Sequence, residues 1–405
     1  MNILLLNYEF PPMGGGASVA TFNIAKHLVA LGHHVDILTS RINGQKSEEN
    51  IGGVTVYRVI SFRNSIHDCG MFGAFSFLFF AVFRFILLTR KNRYDWLTYF
   101  FSLPTAALSL LPGEHRKIPY IVSLRGSDVP MYDPYNQMLQ LFHKMLMPVT
   151  RYIWRHARKV IALSSSLKET ALKTCSDIEI DIIPNGIEIE VFLPCKQFTP
   201  NAKKMRIITV TRLVERKGVQ HILKALADLR KDGITIENIS LLIVGTGNYE
   251  YQLKTLCKQL YLNDVVTFYG FCPRYELPKL YGKSDIFILP SLAESFGVVF
   301  AEAMACALPI ISTNAGAIPD LVKEKQGILV EPGNVNALKE AIKYMLDNKE
   351  KWDAMGSASR DRICKKYSWK SVAKKYSYIY CMNQVSITLE NKVVDGKVPM
   401  IERAA

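Results

Sequence analysis

No CxxC pair and no His/Cys group at zinc-ligand spacing occurs anywhere in this 405-residue chain. Its eight cysteines (Cys69, Cys175, Cys195, Cys257, Cys272, Cys306, Cys364, Cys381) are scattered, which argues against a disulfide framework and for reduced thiols in a cytosolic protein. Internal repeats and low-complexity segments are missing. So are helix-turn-helix, zinc-finger and RNP-type patterns, which makes nucleic acid the weakest candidate partner. No secretory leader is evident either. Met1-Asn2-Ile3-Leu4-Leu5-Leu6-Asn7 has no basic n-region and is too short for an h-region, so a first buried strand is expected there. Acidic residues are in deficit, 36 Asp and Glu against 50 Lys and Arg, leaving a net charge of +14. Nucleic acid, an anionic membrane surface or a diphosphate substrate could each answer that excess.

What is present has a globular balance, 49% hydrophobic and 21% charged, with enough length for two or three cored domains. Apolar strands alternate with amphipathic helices, the pattern of an α/β chain with two doubly wound parallel sheets. Strands are expected at 3–7, 34–39, 54–59, 96–99, 120–124, 159–162 and 180–183. A second set is expected at 206–211, 240–244, 265–269, 285–289, 309–313 and 327–330, followed by a helix over 336–348. Pro184-Asn185-Gly186 breaks the chain, and the polar stretch from Pro194 to Lys204 reads as the domain boundary. The expected domains are therefore 1–193 and 194–366, with an aromatic-rich final helix at about 367–385 and a patternless tail over 386–405.

One stretch bears on membranes. Met71 to Leu88 is largely apolar, with Arg84 its one charged residue, and is followed by Arg90, Lys91 and Arg93. At 18 residues it only just reaches the length of a span, and a span there would split the first domain between two compartments. Two readings stay open: a buried domain helix, or an interfacial one with its phenylalanines in lipid and its basic run on phosphates. The second carries the expectation of salt-sensitive binding to anionic vesicles. The expected location is cytoplasmic, with peripheral attachment to the inner face of the cytoplasmic membrane on that second reading.

The residues that carry chemistry cluster after strands. Glu294-Ser295-Phe296-Gly297-Val298 follows the strand Asp285–Leu289 and leads into a helix that contains Glu302. A helix opening at a strand's carboxyl end aims free N–H groups and its positive pole at the crevice, which suits a phosphate. Glu302 is expected about two turns into that helix, within reach of ligand hydroxyls. An ordinary strand–loop–helix unit with two solvated glutamates would show the same spacing. Pro11-Pro12-Met13-Gly14-Gly15-Gly16 lies between the first strand and a helix from about Ala17 to Leu31, where glycines allow close backbone approach to a ligand. Arg212 and Lys217 follow the first strand of the second set and can offset charge on a leaving diphosphate. Gly245-Thr246-Gly247 is a further strand-end turn, and Arg125-Gly126-Ser127-Asp128 follows the strand Tyr120–Leu124. Asp128 is open to two readings, orienting Arg125 or an acceptor, or capping a helix.

In succession, Tyr269-Gly270-Phe271-Cys272-Pro273, Glu294 to Glu302, Ala303 to Ile311 and Asn314 to Asp320 resemble the donor-binding half of the retaining glycosyltransferases of family 4. The E-x7-E pair, with Phe-Gly after the first glutamate, is that family's hallmark, and the resemblance covers roughly residues 1–380. It implies the GT-B fold, two Rossmann-like domains facing a central cleft, with the last helix packing back on the first domain. It also implies retaining transfer of a hexose-type sugar from a nucleotide diphosphate sugar, UDP being the commonest case. The acceptor would be a glycan or lipid-linked molecule in polysaccharide or glycolipid synthesis, and no metal or other cofactor would be needed. By the same resemblance Glu294 holds donor-sugar hydroxyls, Glu302 holds the ribose, and Phe296, Gly297 and Val298 offer backbone contacts. Arg212 and Lys217 would hold the pyrophosphate, Gly15 and Gly16 cover it, Gly245 lie near the nucleotide, and the segment containing Phe271 flank the base. Many relatives carry a histidine where Arg125 stands, and a permanent cation there cannot act as a general base near neutral pH. A front-face reaction does not need one, because the leaving phosphate oxygen can take the acceptor's proton. Two other readings remain: a catalytically silent GT-B partner subunit, and a dinucleotide-dependent oxidoreductase. The intact Glu294, Glu302, Arg212 and Lys217 set argues against the first, and the missing third glycine of G-x-G-x-x-G against the second.

Overall fold

A computed structural model of the chain describes residues 1–63, 65, 69–132, 136–194 and 204–394, with side chains described to Met382. Two sheets organise it. The first contains β1 (Asn2–Leu6), β2 (His34–Arg41), β3 (Glu48–Ile51), β4 (Val54–Ile60), β5 (Trp96–Phe100), β6 (Tyr120–Ser123), β7 (Lys159–Ala162) and β8 (Ile180–Ile182). Their order is β3-β4-β2-β1-β5-β6-β7-β8. The pairings β1–β2, β1–β5, β2–β4, β5–β6 and β7–β8 are parallel, while β3 is an antiparallel edge on β4. The second sheet contains β9 (Met205–Val210), β10 (Ile239–Val244), β11 (Val266–Gly270), β12 (Ile286–Leu289), β13 (Ile310–Thr313) and β14 (Gly327–Val330), in the order β11-β10-β9-β12-β13-β14. All of its pairings are parallel.

The expected strands are therefore present, with ends moved by a residue or two. The exception is β3, whose Glu-Glu-Asn-Ile sequence carries no alternating or continuous apolar signal because its side chains stay half-exposed or exposed. Interior strands such as Ile3–Leu6 and Ile286–Leu289 are buried along their whole length, as strands covered on both faces must be.

Helices cover the sheets: α1 (Gly16–Ala30), α2 (Gly70–Lys91), α3 (Gln137–His156), α4 (Ser165–Thr174), α5 (Val219–Lys231), α6 (Glu250–Gln259), α7 (Leu277–Gly282), α8 (Val298–Ala305), α9 (Ile318–Leu321), α10 (Val335–Asp347), α11 (Trp352–Lys366) and α12 (Trp369–Val394). Two compact units result, 1–123 with 156–158 and 370–405, and 124–155 with 159–369. Within the first unit, α12 is tied to the sheet by Tyr380 Oη–Thr98 Oγ1 at 2.7 Å, Tyr376 Oη–Ser123 Oγ at 2.9 Å and Ser377 Oγ–His33 Nε2 at 2.8 Å. In the second unit one apolar cluster joins β9, β10, β12, α5 and α10 through Ile207, Leu241, Ile288, Leu226 and Ile342. The expected boundary stretch falls largely on residues 195–203, and the end of the expected tail on 395–405, both outside the described residues.

The strand order decides where a ligand can sit. In the second sheet the chain runs from β9 outward to β10 and β11, then returns to β12 on the other side of β9. The β9 and β12 loops therefore diverge at a topological switch point, where open α/β sheets leave a crevice at their carboxyl ends. In the first sheet β1, which the glycine loop follows, lies between β2 and β5 at the equivalent point.

Candidate functional site

At the β9/β12 switch point two loops meet. After β9 the chain runs through Thr211 and Arg212 into a single 3-10 turn, Glu215–Lys217, and Gly218 then starts α5. Gly218 has φ +73°, and a Cβ there would lie 2.0 Å from the Pro290 carbonyl oxygen, so only glycine lets the β9 loop approach the end of β12 this closely. Leu292 N–H donates to the Arg216 carbonyl at 2.8 Å, fastening the second loop to the first. Across this contact Lys217 Nζ donates to Glu294 Oε1, with side chains only 13% and 9% exposed. Ser291 Oγ donates to the same carboxylate oxygen at 3.2 Å. Glu294's backbone is held too. Ala317 N–H donates to its carbonyl at 2.9 Å, and Gly316, at φ +55°, passes so near that a Cβ would lie 2.2 Å from that oxygen.

Beyond Glu294 the chain enters α8 through Gly297, at φ +79°, with no side-chain cap. The first N–H groups of α8 are thus left to a ligand or solvent, at the positive end of the helix. Glu302 sits one turn into α8, not two, because the helix begins only at Val298. Its side chain is 3% exposed and accepts from Arg274 Nε at 2.9 Å and from Tyr281 Oη at 3.4 Å. Burial raises the Glu302 carboxyl above the usual carboxylate range, against the pull of Arg274. Arg274 also forms a two-pronged pair with Glu188, at 3.0 and 2.6 Å. Burial pushes Glu188 upward, but the hydrogen bond and charge of Arg274 prevail, and its carboxyl ends below the ordinary value.

A third loop of the same unit follows β6. Arg125 is buried and its Nη1 donates to Asn185 Oδ1 at 2.7 Å. Asp128 Oδ1 accepts from the N–H groups of Arg125 (2.8 Å) and Gly126 (3.0 Å). No helix begins there, since α3 starts at Gln137, so Asp128 closes the Arg125 loop and is not a helix cap. A Cβ on Gly126 would lie 3.5 Å from that of Ser295, which places the loop beside the residue that follows Glu294. Next to Asp128 a recess of about 470 Å³ is lined by Pro130, Met131, Leu141, His143, Lys144 and Met147. His143 is 6% exposed, and its Nδ1 has no hydrogen-bond partner among the described residues. Burial lowers its pKa while the charge of Asp128 raises it, the first effect being the larger.

Two family models match the chain: "Glycosyltransferase Family 4" over residues 14–191 and "Glycosyl transferases group 1" over 195–362. The chain belongs to the family 4 glycosyltransferases. It is 27% identical to an uncharacterized glycosyltransferase of Methanocaldococcus jannaschii, over 94% of this chain and 98% of that one. A GDP-mannose-dependent alpha-(1-6)-phosphatidylinositol monomannoside mannosyltransferase of Mycobacterium tuberculosis is also 27% identical, over 57% of this chain and 64% of its own length. Among solved structures, sucrose-phosphate synthase from Thermosynechococcus elongatus superposes with a TM-score of 0.77 at 22% identity, over 95% of this chain and all of that one. HepE of Anabaena, solved with UDP and glucose, gives 0.67 at 19% identity over 93% and 98%. These likenesses make the fold GT-B.

In this glycosyltransferase the second unit brings Lys217, Glu294, Gly297 and Val298 together, with Glu302 a turn further on. Arg212 is exposed and has no ion pair among the described residues. Gly245 N–H donates to the Gly270 carbonyl at 2.8 Å, and a Cβ on Gly245 would lie 1.8 Å from the Thr211 carbonyl, so its glycine is required by the packing of two strand ends. Phe271 is exposed just past β11, whereas the Phe296 ring is 3% exposed and packs on Tyr367 at 6.2 Å. Gly15 and Gly16 are exposed at the start of α1 in the first unit. The Gly15 N–H is engaged by the Glu9 carboxylate, whose pKa burial raises against the lowering effects of Arg63 and that hydrogen bond. Sequence reasoning missed Glu9, Asn185, Glu188, Arg274 and Tyr281. Their partners lie 6 to 86 positions away along the chain, and the only available signals were the Pro184-Asn185-Gly186 break and the place of Arg274 just after Phe271-Cys272-Pro273.

Proposed function

We propose that this glycosyltransferase moves a hexose-type unit from a nucleoside diphosphate sugar to a hydroxyl of a glycan or lipid-linked acceptor, with retention at the anomeric carbon. The observation that carries this reading is the Lys217–Glu294 pair at the β9/β12 switch point, in front of the uncapped start of α8. Glu294 receives donor-sugar hydroxyls. The diphosphate lies against the N–H groups of Gly297 and Val298, with Arg212 and Lys217 supplying fixed positive charge, so that no metal is needed. Glu302, oriented by Arg274 and Tyr281, receives the ribose hydroxyls, and Phe271 flanks the base.

Arg125, which cannot release its proton near neutral pH, acts electrostatically and not as a base. The acceptor oxygen attacks the anomeric carbon on the face the leaving group departs from. The bond from that carbon to the phosphate oxygen breaks, and the acceptor's proton passes to the departing phosphate oxygen. A glycoside and a nucleoside diphosphate result. Asp128 positions the acceptor through the loop it closes, and the recess lined by Met131, Leu141, Lys144 and Met147 takes the acceptor's less polar part. The named substrate of the mycobacterial relative, a phosphatidylinositol mannoside, supports a lipid-linked acceptor. UDP remains the expected base carrier, although that relative's name specifies GDP-mannose.

Two measurements test the proposal. Glu294→Ala should abolish transfer while the fold is kept, and wild-type turnover in that variant would end the assignment. Thermal unfolding with UDP, GDP, ADP or TDP should show one nucleotide stabilising the protein by about 2.7 kcal/mol at a hundred times its dissociation constant. Glu302→Ala should remove that stabilisation.

A further inference from the structure

The helix α2 has two apolar faces, and the fold buries one of them, while on the other Phe72 stacks on the exposed Phe62 at 5.8 Å. Gly73, Ser76, Phe77, Ala81, Phe85 and Leu88 are buried, and the helix packs on β2, β4 and the short turns Thr105–Leu110 and Glu114–Lys117. On the other side Phe72, Phe75, Phe79, Phe83 and Leu87 are 69%, 55%, 61%, 59% and 59% exposed. Their spacing of three or four residues makes one continuous row about 22 Å long. Phe79 and Phe83 touch edge to face, with centroids 5.5 Å apart. Single exposed phenylalanines are ordinary, but five large apolar side chains in file along one helix are an interaction surface.

The structure assigns this row to the surface of an anionic lipid bilayer. Charge selects that occupant. The helix contains no carboxylate, and its carboxyl end carries Arg90, Lys91 and, just beyond, Arg93, all exposed and without an ion pair among the described residues. Arg84, the remaining cation of α2, is already paired with Glu48 at 2.9 Å. A second copy of a chain with net charge +14 would bring like charges together and offer no acid on this helix to meet them. Phosphate headgroups meet the cations while the rings enter the headgroup–acyl boundary, as an in-plane amphipathic helix requires. By length and composition α2 could also cross a membrane. Its inner face forbids that here, because β4 before it and β5 after it belong to one sheet whose cover is α2 itself.

The test is co-sedimentation of the full chain with vesicles of equal parts phosphatidylglycerol and phosphatidylcholine, beside pure phosphatidylcholine. Wild type should bind the anionic vesicles, more weakly as salt rises, and leave the neutral ones in suspension. Arg90→Gln/Lys91→Gln/Arg93→Gln should weaken binding about fivefold per cation removed. Phe75→Ser/Phe79→Ser/Phe83→Ser should abolish it while the unfolding temperature is kept, since none of the three is buried. No binding by wild type at low salt, equal binding to neutral vesicles, or wild-type binding by the triple serine variant would each overturn the assignment. So would a wild-type dimer, made monomeric by the serine substitutions, that ignores vesicles.

Discussion

Glycines separate packing from chemistry at the scale of single residues. Gly218 is required by a positive φ and by the Pro290 carbonyl, so Gly218→Ala should lower stability by at least about 1–3 kcal/mol from conformation alone and displace Lys217 as well. Gly15 differs. Its φ is −128° and nothing lies within 4 Å of where a Cβ would be. Gly15→Ala should therefore keep its unfolding free energy within about 0.5 kcal/mol of wild type. If a ligand packs on this backbone, turnover should nonetheless fall, and unchanged turnover would remove Gly15 from the candidate site residues. Glu302 gives a pH-dependent case. Burial raises its folded pKa above the ordinary 4.5, so the folded state holds its proton more tightly than the unfolded one does. Stability from this group is intact below that ordinary value and is lost as pH rises through it toward the folded value. Glu302→Gln should escape this loss. Urea unfolding should show the variant gaining on wild type between pH 4 and pH 8, and a constant difference would show that the carboxyl is not perturbed.

At the scale of elements, α2 shows what periodicity can and cannot reveal. A run of phenylalanines from Phe72 to Phe85 announces a helix, but apolar residues on every side leave open which face the protein keeps. Tertiary packing chose Phe77 and Phe85. Phe77→Ala should cost about 3–5 kcal/mol in urea unfolding, whereas Phe79→Ala should cost under about 0.5 kcal/mol. Similar losses in both would mean that the outer face is buried after all. The element α8 teaches the same lesson at a helix start. Its sequence shows the two glutamates and the glycine, but the left-handed turn at Gly297 delays the helix to Val298 and brings Glu302 a turn closer to its mouth. The edge strand β3 escaped notice because its side chains stay half-exposed or exposed, and so nothing demanded apolar residues.

At the scale of the whole molecule, the chain leaves its first unit and returns to it. Thr98 and Ser123 receive their partners from Tyr380 and Tyr376, more than 250 positions later, and both phenol groups are buried. Loss of a single such hydrogen bond, as in Tyr380→Phe, should cost about 1–3 kcal/mol, because the buried Thr98 hydroxyl is left without its partner. Truncation before Lys370 should do far more, exposing the sheet face that Tyr376 and Tyr380 cover. A soluble truncated chain with wild-type unfolding behaviour would refute this.

The sequence by itself determined the parallel strands of the two sheets, their order along the chain and the places where glycines and charges interrupt them. Each of these follows from local rules: continuous apolar runs, turn residues and helix starts. It also placed Glu294, Arg212 and Lys217 just after strands and Glu302 in the helix that follows. Only the tertiary structure decided that Lys217 lies against Glu294, that Arg274 joins Glu302 to Glu188, that Asp128 closes a loop, and that one face of α2 stays largely exposed. Those are pairings between positions far apart, set by which strands neighbour one another in a sheet, and no local pattern records a neighbour.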